Sequence, residues 1–92
     1  MDIKEMSLCS YHDDVVVFND RGYDDAIIGM TTDGRAVYSY EKMVASLIAE
    51  GMDDIEAIDY IEYNTIRSLY YIDKKTEGRA PIIMYSSEWL GF

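Results

Sequence analysis

Three groups of residues have types and spacings that could do chemistry. The first is "CSYHDD", Cys9 to Asp14. Cys9 and His12 have the C-x-x-H spacing of half a metal site, and Asp13 or Asp14 could add an oxygen ligand. They are the only cysteine and the only histidine, so no second cluster completes the set. The expected state is a solvated loop near a terminus. A thiol–imidazole nucleophile is disfavoured too, because surrounding acids raise a thiol pKa. The second group, "GMTTDGRAVYSY", has the Asp-Gly of a calcium loop. With Gly34 at loop position six, the first, third and twelfth positions fall on Gly29, Thr31 and Tyr40, which are not the oxygen ligands required. The third group is the carboxylate pair Asp59 and Glu62 in "DDIEAIDYIEYNTIRSLYYI", Asp53 to Ile72. No base, nucleophile or metal set accompanies it, and no phosphate-loop, dinucleotide or nucleophile-elbow motif occurs anywhere. The chain is read as non-enzymatic, with no metal and no cofactor.

The carboxylate pair poses a different question. On a helical wheel with Ile55 at zero, Ile66, Tyr70 and Tyr63 fall at about 20°, 60° and 80°, and Leu69, Ile58, Thr65 and Ile61 at about 320°, 300°, 280° and 240°. Asp59 at about 40° and Glu62 at about 340° lie inside that apolar arc. The favoured reading splits the arc into two seams. Ile58, Ile61, Thr65 and Leu69 would face a sheet, and Tyr63, Ile66 and Tyr70 another helix or a protein partner. The acids would then lie in the groove between, either wet or paired with Arg35 or Arg79. The alternatives are acids buried and hydrogen-bonded to an Arg or to tyrosine hydroxyls, since an unpaired buried carboxylate is costly, or an exposed Ile66/Tyr63/Tyr70 seam with the acids aimed at a basic partner.

Charge narrows the partner class. Eighteen acidic against eight basic residues give a net charge of -10. Such a field repels nucleic-acid phosphates and anionic membranes, and attracts basic surfaces, including those of proteins that hold nucleic acid. Apolar residues at 49% exclude a disordered acidic tail. A lone cysteine permits no internal disulfide, "MDIKEMSLCS" lacks the basic and apolar regions of a signal peptide, and no run approaches the ~20 apolar residues of a membrane span. A soluble, cytoplasmic protein is expected. Tyrosine is over-used, with nine against two Phe and one Trp. Most should be structural, with an exposed subset suited to interfaces.

Ninety-two residues with no repeat or linker make one domain, 1–92. The stretches 14–18, 26–30 and 35–40 read as strands of an antiparallel meander, with turns at "NDRG" (19–22) and at Asp33-Gly34. Ser39 is placed to cap a first helix carrying Met43, Val44, Leu47 and Ile48 as its apolar stripe, closed by Gly51. Asp53, with Glu56 three residues on, starts a second helix reaching 69–72. "APIIMY" (80–85) is the last strand, with Pro81 at its start, and Trp89, Leu90 and Phe92 are expected to fold back over the core. The expected fold is α+β, a two-layer sandwich of a mainly antiparallel sheet with two helices on one face, in the order β-β-β-α-α-β. The last strand may be inserted in either direction.

The stretch from "YDDAIIGMTTDGRAVYSYEKMVASLIAEGM" through "EYNTIRSL" to "PIIMY", residues 23–85, resembles small uncharacterised proteins of phages and mobile elements from Gram-positive gut bacteria. The resemblance implies no enzyme activity and transfers no site residue. It implies a context in which short acidic domains inhibit host machinery, as anti-CRISPR proteins of similar size and acidity do. The expected function is therefore a phage-type inhibitor acting in the host cell's cytoplasm on a basic nucleic-acid-handling protein. The leading case is an anti-CRISPR that occupies a Cas effector's groove as a DNA mimic. Its expected contact residues are Asp13, Asp14, Asp24, Asp25, Asp53, Asp54, Asp59 and Glu62, with Tyr60, Tyr63 and Tyr71 as anchors. The alternatives are a structural or regulatory homodimer joined through the tyrosine seam or an edge strand, and a nucleotide-signal sponge if Arg35, Arg67 and Arg79 converge.

Overall fold

The computed structural model describes residues 9–12, 14–19 and 23–86, with His12 described through its backbone alone. It is an α+β domain of five strands and two helices. β1 (Cys9–His12) and β2 (Val15–Phe18) form an antiparallel hairpin, from Cys9↔Phe18 to His12↔Val15. Asp14, at φ 68°, helps turn it in the left-handed region that Asp tolerates. A 3-10 turn, Tyr23–Ala26, leads to β3 (Ile27–Met30). β3 pairs antiparallel with β4 (Ala36–Ser39) through a bulge between Ile27 and Gly29. The Asp33-Gly34 turn closes as expected, with Gly34 at φ 86° and the Arg35 amide bound to Thr31 Oγ1 at 2.9 Å. β5 (Ile82–Met84) joins β4 in parallel, so the sheet order is β3-β4-β5.

Two strand expectations are corrected. The run "VVVF" does not continue into a meander with β3. It pairs instead with Cys9–His12, expected to be a solvated loop, and makes a separate two-stranded sheet. The backbone groups of β2 are satisfied locally by a tight hairpin, and β3 starts only after the intervening 3-10 turn. The "NDRG" turn falls mostly on residues 20–22, and the expected cover by Trp89, Leu90 and Phe92 on residues 87–92, outside the described residues.

α1 (Tyr40–Ala49) begins at Ser39, whose hydroxyl accepts from the Lys42 amide at 3.3 Å. Met43 and Leu47 are fully buried, Val44 partly, and Ile48 is 44% exposed. Gly51, at φ 112°, takes the left-handed position past the helix end. α2 begins at Asp53, whose carboxylate accepts from the Glu56 amide at 2.8 Å. It continues as one helical rod in three parts: Asp54–Tyr60 in α geometry, Ile61–Ile66 as a π-helix, and Arg67–Lys75 in α geometry.

The buried side of α2 is formed by Ala57, Ile61, Thr65 and Ile72, with Thr76 just past its end. At about 100° per residue they share one arc on the side away from Ile55. The sheet-facing seam expected from the wheel is corrected at Ile58, which is 38% exposed. Ile61 and Thr65 are buried, and Leu69 is half-buried against the core beside β5.

Three buried tyrosines bind these elements together. Tyr38 Oη accepts from the Phe18 amide at 3.0 Å, joining β2 to β4 beneath a tilted ring pair with centroids 4.8 Å apart. Tyr23 Oη meets Thr65 Oγ1 at 3.2 Å, joining the 3-10 turn to α2. Tyr40 Oη donates to Glu62 Oε1 at 3.3 Å, and its ring lies 4.7 Å from that of Tyr85. Among the described residues no buried side-chain nitrogen or oxygen lacks a hydrogen-bond partner. Burying phenols is tolerable on that condition.

Candidate functional site

The solvent side of α2 is the part of the surface where charge and exposed apolar area coincide. Asp54, Glu56, Asp59 and Glu62 are all exposed, and no cation interrupts them before Arg67. Ile55 is 69% exposed and Tyr63 65%, although both types would ordinarily be covered. Met52, Glu56, Asp59, Tyr60, Tyr63 and Asn64 line a shallow depression of about 380 Å³ on this side. The acids arise here for a local reason. The first turn of a helix favours negative charge, and Asp53, Asp54 and Glu56 occupy it. The amide of Glu56 holds the Asp53 carboxyl below its usual range.

The question posed by Asp59 and Glu62 has an answer. Both are exposed, as the favoured reading expected, and neither is paired with Arg35 or Arg79. Arg35 Nε donates to the Ala80 carbonyl at 2.8 Å and Arg79 Nε to the Thr76 carbonyl at 3.0 Å. Glu62 nevertheless differs from Asp59, because it accepts the Tyr40 hydroxyl. Burial first, and the Glu62 charge second, push the Tyr40 phenol up to about 12. The second expected seam does not reach α1: Tyr63 and Tyr70 each stay 65% exposed. Their rings carry cations one turn on, with the Arg67 guanidinium carbon 5.8 Å from the Tyr63 centroid and Lys74 Nζ 5.5 Å from that of Tyr70.

The remaining expected contact residues are distributed over the surface. Tyr60 is half-buried and packs against the core, and Tyr71 is 57% exposed with its ring edge-on to Tyr70. Asp14 sits at the exposed hairpin turn, and Asp13 lies outside the described residues. Asp24 and Asp25 are exposed on the 3-10 turn. Asp24 lines a different cleft, of about 490 Å³, with Ser10, Tyr11, Val17, Phe18, Asn19 and Ile27. The acids therefore do not form one patch. Asp54, Asp59 and Glu62 share α2, while Asp24 borders the hairpin.

Sequence reasoning missed the exposure of Ile55 and Ile58 and the cations Arg67 and Lys74 that accompany the tyrosines. Reading rows four residues apart, 55-59-63-67 and 58-62-66-70-74, would have found them. A third depression, of about 390 Å³, lies between α2 and β5, lined by Arg35, Ile66, Leu69, Pro81, Ile82, Ile83 and Tyr85. It is mainly apolar and open.

Burial raises the Cys9 thiol, which lowers its thiolate fraction and its reactivity. Among the described residues no group of three or more His, Cys, Asp or Glu side chains could hold a metal ion, and no helix is long and apolar enough to cross a membrane. Arg35, Arg67 and Arg79 have separate partners: Arg67 lies over Tyr63, Arg35 at the Ala80 carbonyl, and Arg79 over Tyr11 at 5.3 Å.

Fold and surface together define a small α+β domain with an acidic, aromatic helix face. No family model, curated protein or solved structure matches the chain.

Proposed function

We propose that the protein is a non-enzymatic, phage-type inhibitor that binds a basic nucleic-acid-handling host protein in the cytoplasm. The leading case is an anti-CRISPR protein that occupies the nucleic-acid groove of a Cas effector. The observation that supports this reading is the first half of α2, where Asp54, Glu56, Asp59 and Glu62 meet solvent beside exposed Ile55 and Tyr63. Carboxylates along a helix face present negative charge to a Lys/Arg groove that otherwise holds phosphates, and the exposed apolar side chains add contact area that does not depend on salt. The mechanism is competitive occupation: guide or target cannot enter a groove already filled.

The test begins with a pull-down from the host, with the captured protein identified by mass spectrometry. That protein, purified, is then titrated with the inhibitor while its nucleic-acid binding is followed. The expected result is competition with nucleic acid and an affinity that falls as salt is raised. Replacing Asp54, Glu56 and Asp59 with Asn, Gln and Asn should abolish the effect. A partner whose nucleic-acid binding is untouched, or a complex indifferent to both salt and these substitutions, refutes the proposal.

A further inference from the structure

We propose that the solvent face of α2 is self-complementary, and that two copies of the chain pair there with their helices antiparallel about a two-fold axis at Tyr63. The proposal goes beyond the inhibitor reading. It uses the same helix but a different partner.

Three observations carry it. The first is charge order along the helix. Residues 53–62 contain Asp53, Asp54, Glu56, Asp59 and Glu62 and no base, whereas residues 63–75 contain Arg67, Lys74 and Lys75 against Asp73 alone. A basic partner would suit the first half and be repelled by the second. An antiparallel copy of the same helix suits both.

The second observation is the exposed row 55-59-63-67-71, which reads Ile, Asp, Tyr, Arg, Tyr. Ile55, Tyr63 and Tyr71 along it are 69%, 65% and 57% exposed. With the axis at Tyr63, residues equally distant on either side meet across it. Asp59 then faces Arg67 of the second copy, a pair that occurs twice as an isologous interface requires, with Ile55 and Tyr71 flanking it.

The third observation is that the middle of the row, 59-63-67, spans the π turn and is already ordered. The wider turn reduces the drift of residues four apart there, and the Arg67 guanidinium is held over the Tyr63 ring. That contact places the cation on the row before any partner arrives, which lowers the ordering cost of association.

The experiment is sedimentation of the full chain over a concentration series, with circular dichroism confirming that each variant is folded. Asp59 and Arg67 are exposed, so neither Asp59→Arg nor Arg67→Asp removes a buried contact. The wild-type chain is expected to dimerise with concentration. Each single reversal turns two attractive contacts into two like-charge ones and should weaken the dimer by roughly tenfold. The double variant Asp59→Arg/Arg67→Asp restores both pairs and should return to within about threefold of wild type. A wild-type chain that stays monomeric throughout overturns the proposal, as does a dimer unmoved by either reversal or a double variant no better than the singles. Because no basic partner is present in the assay, the result does not depend on the inhibitor reading. A basic partner should bind less tightly after Asp59→Arg and more tightly after Arg67→Asp, whereas the dimer is weakened by both, so failure of the two readings is distinguishable.

Discussion

Tyr38→Phe tests how much the Tyr38 phenol contributes to holding the hairpin against the main sheet. The ring of Tyr38 is fully buried, and its hydroxyl accepts from the amide of Phe18, itself 5% exposed. Phenylalanine keeps the ring and its contact with Phe18, so little packing is lost. What changes is the Phe18 amide, which loses its acceptor inside the core. The void left by one oxygen is smaller than the ~30 Å³ that a water occupies, so solvent does not replace it. An unsatisfied buried donor costs about 1–3 kcal/mol, against a total near 5–15 kcal/mol for a small domain. At about 4–8 °C per kcal/mol for a chain of this size, a loss of ~2 kcal/mol lowers the melting temperature by about 8–16 °C. Urea unfolding followed by circular dichroism measures the change. Tyr63→Phe is the matched control, because that side chain is 65% exposed and should move stability by less than ~0.5 kcal/mol. Hydrogen exchange at the Phe18 amide should accelerate in the first variant alone. If Tyr38→Phe and Tyr63→Phe shift stability equally, the hydrogen bond is not the link it is described to be.

Three further outcomes follow from the same geometry. Gly51→Ala forces a side chain into φ 112°, so it should destabilise by about 1–2 kcal/mol in urea unfolding even though no atom lies within 4 Å of the added carbon. At high pH, Tyr40 has a folded pKa of about 12 against an ordinary 10.0, so its contribution is full below pH 10 and is lost as pH rises towards 12. Melting temperature should fall over that window, with tyrosinate absorbance rising as the protein unfolds. At low pH the lowered carboxyls of Glu41, which accepts the Ser86 amide, and Asp53 contribute above their unfolded values and lose that contribution as pH falls through the folded ones. Asp53→Asn retains a capping oxygen and should flatten the acid limb of the melting curve.

The features readable in the sequence are those settled by one or two residues. Ser39 and Asp53 cap helices, and Gly34 and Gly51 take left-handed positions, because each requirement is local stereochemistry. β1 was not readable. "CSYH" has no β-branched run, and it becomes a strand through the spatial offer of β2's backbone groups. The direction of β5 was open for a similar reason. A three-residue strand is placed by the packing of its neighbours, and its own pattern is the same either way. A wheel ranks the faces of α2 by hydrophobicity, but the packing of neighbours decides which face is covered. Ala57, Ile61 and Thr65 are buried, while Ile55 is 69% and Ile58 38% exposed on the same rod. Small and hydroxyl side chains won the core position, since Thr65 meets the Tyr23 phenol there.

Asp59 and Glu62 therefore have different work. Glu62 accepts the hydroxyl of Tyr40, a buried residue whose ring also lies against Tyr85. Changing it disturbs a junction between α1, α2 and the chain after β5. A loss of binding on Glu62→Gln would then mix folding with recognition. Asp59 makes no such junction: it stands in the exposed row between Ile55 and Tyr63 and borders the depression with Tyr60 and Asn64. Its replacement leaves the fold alone and changes only what α2 offers to another molecule. If recognition runs through this face, Asp59→Asn should cost binding at unchanged melting temperature, and Glu62→Gln should lower both. Equal melting temperatures for the two variants would remove the Tyr40 junction as the reason for separating them.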